Sequence, residues 1–110
     1  MAVIVRAEHA QAVENIESIV AVEGIDAVLL GPYDLAASLG KMGRINDPAV
    51  TDAIEHVTKT CQTAGIPLGY FGVSPADVRP YMERGYNLIA AGVDTFLLAG
   101  AAGRLLVELR

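Results

Sequence analysis

Short apolar runs rich in β-branched residues alternate along this chain with longer stretches whose apolar residues recur every three or four positions. Val3-Ile4-Val5 predicts a first strand. Ala12, Val13, Ile16, Ile19 and Val20 form one stripe at helical period and predict a helix ended by Gly24. Ala27 to Leu30 predicts a second strand, stopped by Gly31-Pro32. Tyr33 to Asp47 reads as a short helical turn and a loop, punctuated by Gly40, Gly43 and Asn46-Asp47-Pro48. A clear helix then opens with Asp47 as N-cap and Pro48 at its first position. Its stripe is Val50, Ala53, Ile54, Val57, Cys61 and Ala64, and Gly65 is its C-cap. Leu68 to Phe71 predicts a third strand. Ser74-Pro75-Ala76-Asp77 is a near capping box for a helix that Pro80 should kink or delay. Leu88 to Ala91 predicts a fourth strand, and Thr95 to Leu109 a last helix.

This alternation makes the fold class α/β: a (βα)4 unit with a parallel sheet covered by helices. Two architectures meet that description. One is a small open four-stranded sheet; the other is half of a (β/α)8 barrel, a fold of roughly 250 residues. The chain has 110 residues, 53% of them hydrophobic, which is ample for a packed core and excludes disorder. Eight Lys and Arg against thirteen Asp and Glu leave a net charge of −5, which argues against nucleic acid or an anionic membrane as partner. The single cysteine, Cys61, excludes an intrachain disulfide framework and a cysteine-built zinc site. No apolar run reaches the roughly 18–20 residues of a membrane span. Arg6 and Glu8 interrupt the N-terminus before a signal-peptide core can form, so a cytoplasmic location is expected.

In parallel α/β folds, chemistry collects at the C-terminal ends of strands. Glu8, Asp34, Ser74 and Asp94 lie near such ends. Glu8 and Asp34 follow consecutive strands, and neighbouring strands run about 4.8 Å apart. Two carboxylates so placed can share a hard divalent cation, leaving its other positions to water and a substrate. A carboxylate after a strand also serves commonly as the N-cap of the next helix.

Glu8-His9-Ala10-Gln11-Ala12-Val13-Glu14-Asn15-Ile16, Gly24-Ile25-Asp26 and Gly31-Pro32-Tyr33-Asp34-Leu35-Ala36-Ala37-Ser38-Leu39-Gly40 together resemble the HpcH/HpaI aldolases. The resemblance runs through the whole chain to Gly92-Val93-Asp94, and its Gly-Pro-x-Asp-Leu-x-x-Ser-x-Gly stretch is specific. It implies a class II, metal-dependent pyruvate aldolase acting on 2-keto-3-hydroxy acids, often 2-keto-3-deoxy acids. It implies that Glu8 and Asp34 are the protein's ligands to a divalent cation, Mg2+ or else Mn2+ or Co2+. The cation would chelate the carboxylate and keto oxygens of pyruvate and stabilise its enolate, with an aldehyde as the second substrate. Arg6, Gly31, Pro32, Tyr33 and Asp34 are the expected substrate-binding residues, the backbone amides of the Gly31–Asp34 loop holding a carboxylate.

The resemblance also implies a half. Residues 1–110 correspond to strands five to eight of a TIM (β/α)8 barrel, its C-terminal half, so the chain is expected to be a fragment of a longer protein; the alternative is a half that pairs with another half. The family's catalytic histidine and substrate-binding arginine lie on earlier strands, so no catalytic residue is assigned here. Where the family commonly has glutamine two residues before the metal glutamate, this chain has Arg6. Strand alternation turns Ile4, Arg6 and Glu8 one way and Val3, Val5 and Ala7 the other. Arg6 would then either hold a substrate carboxylate bidentately or form an ion pair with Glu8 that competes with the cation.

The remaining candidates read as structural. His9 is an exposed loop histidine, His56 a solvated one, and Cys61 a small buried hydrophobe. Ser74 is a helix cap, Asp94 caps the last helix or else lines the site's rim, and Tyr33 and Tyr70 are packing aromatics, though they could border a pocket. Phe96, Leu97, Leu98, Leu105, Leu106, Val107 and Leu109 spread around the last helix and keep to no single stripe. Such a helix must be buried on most faces. In the resembled family the terminal helix is exchanged between subunits, which implies a homo-oligomer; the alternative is that the missing first half of the barrel covers the helix. The competing reading is a catalytically incomplete half-barrel with only an assembly role.

Overall fold

Four short, largely apolar runs form one parallel sheet in the computed structural model, which describes residues 1–110. Its strands are β1 (Ile4–Ala7), β2 (Ala27–Leu30), β3 (Leu68–Gly72) and β4 (Leu88–Ala91), ordered β1-β2-β3-β4. The helices are α1 (Ala10–Glu14), α2 (Ile16–Val20), α3 (Pro32–Ser38), α4 (Pro48–Ala64), α5 (Pro75–Glu83) and α6 (Asp94–Glu108).

Strictly sequential order separates this sheet from doubly wound ones, where the order reverses and helices cover both faces. Here one face carries the core. Ala7, Val28, Leu30, Leu68 and Tyr70 point into it and meet Leu35, Val50, Ile54, Val57 and Cys61 from the helices. The other face is bare. Arg6, Leu29, Gly69 and Leu88 lie in register along one row across all four strands, and Ile4 and Leu88 remain exposed. Gly69 is what lets that row pack: a Cβ there would come within 2.7 Å of Leu29 Cδ1 and 2.9 Å of the Leu88 carbonyl oxygen.

The longest helix forms as its sequence dictates. Asp47 accepts a hydrogen bond from the Ala49 amide, Pro48 occupies the first turn, and Gly65 closes the helix at φ +71°, a conformation L side chains avoid. Val50, Ala53, Ile54, Val57, Thr58 and Cys61 form its buried stripe. The Thr58 hydroxyl bonds the Ile54 carbonyl at 2.7 Å and also meets the Tyr86 hydroxyl, so this buried polar group is satisfied. Tyr70 stacks on Tyr81 at 3.6 Å, with Tyr86 edge-on to both.

Several boundaries differ from the sequence reading. The first strand runs Ile4–Ala7 instead of Val3–Val5, because pairing with β2 begins at Ile4 opposite Ala27. The first helix divides at Asn15, a poor helix former whose φ of −101° leaves the helical range. Ile16, just beyond the break, is completely buried. The short turn after β2 is a seven-residue helix that starts at Pro32. Pro80 neither delays nor divides α5: the full capping box of Ser74 and Asp77, with Pro75 in the first turn, opens it at once. The last helix starts at Asp94 with Val93 at the N-cap position, so Asp94 is not its cap. Instead, Asp94 Oδ1 accepts from the Thr95 amide at 2.8 Å.

Helix α6 buries none of its residues, and Phe96, Leu97, Leu98 and Leu109 are each more than 60% exposed. The chain measures 57 × 34 × 23 Å. No helix is long and apolar enough to cross a membrane.

Candidate functional site

Two turns meet at the C-terminal edge of the bare face. Ala7 and Leu30 are partners in the ladder, and the Gly31 amide donates to the Ala7 carbonyl at 3.3 Å. Glu8 therefore stands beside Gly31. The approach is close: a Cβ on Gly31 would lie 3.0 Å from Glu8 Oε2 and 3.1 Å from Glu8 Cβ. Only a residue without a side chain lets the carboxylate occupy that place undisturbed.

Asp34 enters from the first turn of α3. Pro32 starts that helix, its fixed φ suited to a first helical position, and sets Asp34 two residues on. A second tie joins the two turns. The Ser38 hydroxyl donates to the Leu35 carbonyl at 2.8 Å and accepts from the Ala10 amide at 2.9 Å. The end of α3 is thereby fastened to the segment just after Glu8. The serine of the Gly-Pro-x-Asp-Leu-x-x-Ser stretch thus positions both carboxylate-bearing turns.

The result is a concavity of about 230 Å3 lined by Arg6, Glu8, Gly31, Tyr33 and Asp34, with Leu29 and Phe71 as apolar walls. The Tyr33 ring meets Phe71 edge-on, centroids 6.2 Å apart. Arg6 Nη2 lies 3.1 Å from Glu8 Oε1, an ion pair whose arginine is largely exposed. Asp34 is exposed.

The donor set suits a hard cation. It comprises two carboxylates from adjacent turns, and the lining includes no histidine or thiol. A Mg2+-like ion bound by one or two carboxylates takes its remaining oxygens from water and substrate. The exposure of Asp34 and the open concavity leave room for them.

The residues singled out in the sequence therefore divide. Arg6, Glu8, Gly31, Tyr33 and Asp34 come together at this cavity. Pro32 does not line it: its ring is buried beneath the turn, where it shapes the backbone. Tyr70 lies on the helix-covered face, so it borders no part of the site. Its burial raises its hydroxyl above the ordinary tyrosine range. Burial pushes the Cys61 thiol up to about 11, which keeps it protonated and unreactive at neutral pH. Ser74 caps α5. His9 is exposed, and its Nδ1 accepts from the Gln11 amide as the cap of α1. His56 Nε2 lies 3.1 Å from Glu17 on the outer surface.

Phe71 and Leu29 are site residues that the sequence reading missed. Strand alternation carried the signal: Phe71 is out of phase with Leu68 and Tyr70, so it must face away from the core.

The chain matches the HpcH/HpaI aldolase/citrate lyase family over residues 1–101. It is 43% identical over 107 residues to the hydroxypyruvate/pyruvate aldolase of Cupriavidus necator, covering 97% of this chain and 40% of that protein. It is 37% identical over 103 residues to the 5-keto-4-deoxy-D-glucarate aldolase of Escherichia coli, covering 94% and 40% respectively. The crystal structure of an HpcH/HpaI aldolase/citrate lyase family protein from Burkholderia cenocepacia superposes on the whole chain with a TM-score of 0.94 at 41% identity, over 43% of its own length. The chain thus spans about 40% of the length of the relatives it matches. Its sequential parallel sheet and its paired carboxylates stand within that match, and the chain belongs to the HpcH/HpaI aldolase/citrate lyase family.

Proposed function

We propose that this chain is the cation-holding, C-terminal half of a cytoplasmic metal-dependent aldolase, strands five to eight of a (β/α)8 barrel. The reaction is the reversible cleavage of 2-keto-3-hydroxy acids to pyruvate and an aldehyde. The observation that carries this reading is the convergence of Glu8 and Asp34, from two adjacent strand ends, on one concavity. When bound, a divalent cation (Mg2+, or Mn2+ or Co2+) supplies the positive charge that makes an enolate accessible.

The chain's own residues do the rest of the work assigned here. Glu8 and Asp34 hold the cation, and Gly31 leaves the space in which Glu8 does so. The first amides of α3, at Tyr33 and Asp34, have no partner within their helix and are free to receive a carboxylate. Arg6 offers a planar fork to the same anion. Tyr33 and Phe71 form an apolar wall that limits water on one side. The bare sheet face is the barrel interior, which further strands would close. Glu8→Gln and Asp34→Asn test the site. Each should lose Mn2+ affinity beyond the roughly 10–100-fold that removal of an outer-shell partner costs, with no change in melting temperature. Unaltered Mn2+ binding in both variants would refute the assignment.

One observation favours a second role alongside this one. Helix α6 leaves its leucines and Phe96 uncovered, as a subunit would whose terminal helix is buried by a neighbour in a homo-oligomer. A protein that only assembles would keep its oligomer size in Asp34→Asn and would bind no Mn2+ in either form.

A further inference from the structure

The ion pair between Arg6 and Glu8 places a fixed positive charge on a carboxylate that the proposed site needs for its cation. Arg6 Nη2 and Glu8 Oε1 are 3.1 Å apart, and both side chains rise from the bare face at the rim of the same concavity. Building on the proposed metal site, we infer that Arg6 gates Glu8. It holds the carboxylate until a cation arrives, is displaced by it, and then turns its guanidinium to the carboxylate of the incoming keto acid.

The rim carries one positive and two negative formal charges, from Arg6, Glu8 and Asp34. An approaching divalent cation therefore meets a net charge of −1, where two unopposed carboxylates would present −2. It must also take an oxygen already engaged by the guanidinium. Both effects weaken cation binding while no anion is present. The pair itself is easily parted: the arginine side chain is 65% exposed, and exposed ion pairs contribute little net energy. Glu8 is the one acid to which Arg6 pairs, so its release leaves a free fork at the rim. Once loaded, the rim bears a net charge of +1, which favours an anionic ligand, and a guanidinium binds a carboxylate through two parallel hydrogen bonds. Coupling of this kind is reciprocal. A keto acid that draws Arg6 away from Glu8 must tighten the cation by the factor with which the cation tightens the keto acid.

The test is Mn2+ affinity, read by calorimetry and by the electron paramagnetic resonance of free Mn2+, in the protein at its native length. Wild type, Arg6→Gln and Arg6→Lys are compared with and without saturating pyruvate. Without pyruvate, Arg6→Gln should bind Mn2+ about tenfold more tightly than wild type, while Arg6→Lys, which keeps the charge, stays near wild type. Pyruvate should then tighten Mn2+ more in wild type than in Arg6→Gln, because only wild type has an ion pair to release. Equal Mn2+ affinity in wild type and Arg6→Gln overturns the gate and leaves the metal site standing. Equal tightening by pyruvate overturns the transfer of Arg6 to the keto acid. Absence of Mn2+ binding in all three overturns the metal site, and the gate with it.

Discussion

The two faces of this sheet are built from the same strands, one residue apart, and have opposite properties. On the covered face, Val28 and Leu30 are wholly buried against α4 and its neighbours. On the bare face, Arg6, Leu29 and Leu88 stand in a row with partial or full access to solvent. The buried face stabilises the fold; the open face and its upper rim hold the polar groups. In this arrangement the parity of a position decides whether a substitution disturbs the packed face or the open one.

The largest effect that would break this comparison lies on the covered face. Leu30→Ala should cost about 2–5 kcal/mol in denaturant unfolding, by lost burial and a residual cavity. A cost below about 1 kcal/mol would mean that face is loosely packed. Next is the bare face itself, where Gly69→Ala forces a methyl group against Leu29 and the Leu88 backbone. We expect a cost of about 1–3 kcal/mol: Leu29 Cδ1 can shift, but the Leu88 carbonyl at 2.9 Å is backbone, so β4 must give way. Equal costs would erase the distinction between the faces.

The last effect is alkaline. Burial pushes the Cys61 thiol up to about 11 from 9.0 and the Tyr86 hydroxyl up to about 12 from 10.0; in Tyr86 the Thr58 hydrogen bond and Arg84 oppose the rise. The unfolded chain therefore releases these protons at lower pH than the folded one. Their contribution to stability is intact below about pH 9 and is lost as pH rises through about 11 and 12. Unfolding free energy should fall across that window, and Cys61→Ala should flatten the part of the slope between about pH 9 and 11. An unchanged slope would place the alkaline loss elsewhere.

These differences between faces also mark what could be read from the chain. The stripe from Val50 to Cys61, its Asp47 and Pro48 start and its Gly65 stop are local instructions, and the helix obeys them. The same holds for β2 and β4, whose limits fall where the apolar runs end. Position Asn15 was not legible, because a continuous apolar stripe conceals a backbone break that only the packing of Ile16 makes apparent. Nor was the bond network of Ser38, since a serine hydroxyl has many local partners and only the folded chain brings the Ala10 amide to it.

By itself, the sequence determined the order of elements, the parallel α/β class and the pair of acids at successive strand ends, because each follows from local periodicity and capping. The tertiary structure alone decided two things. It set Glu8 against Gly31, and it left one sheet face and the whole of α6 uncovered. These depend on distances between segments remote in the chain, and such distances are set by register and packing, which no local pattern encodes.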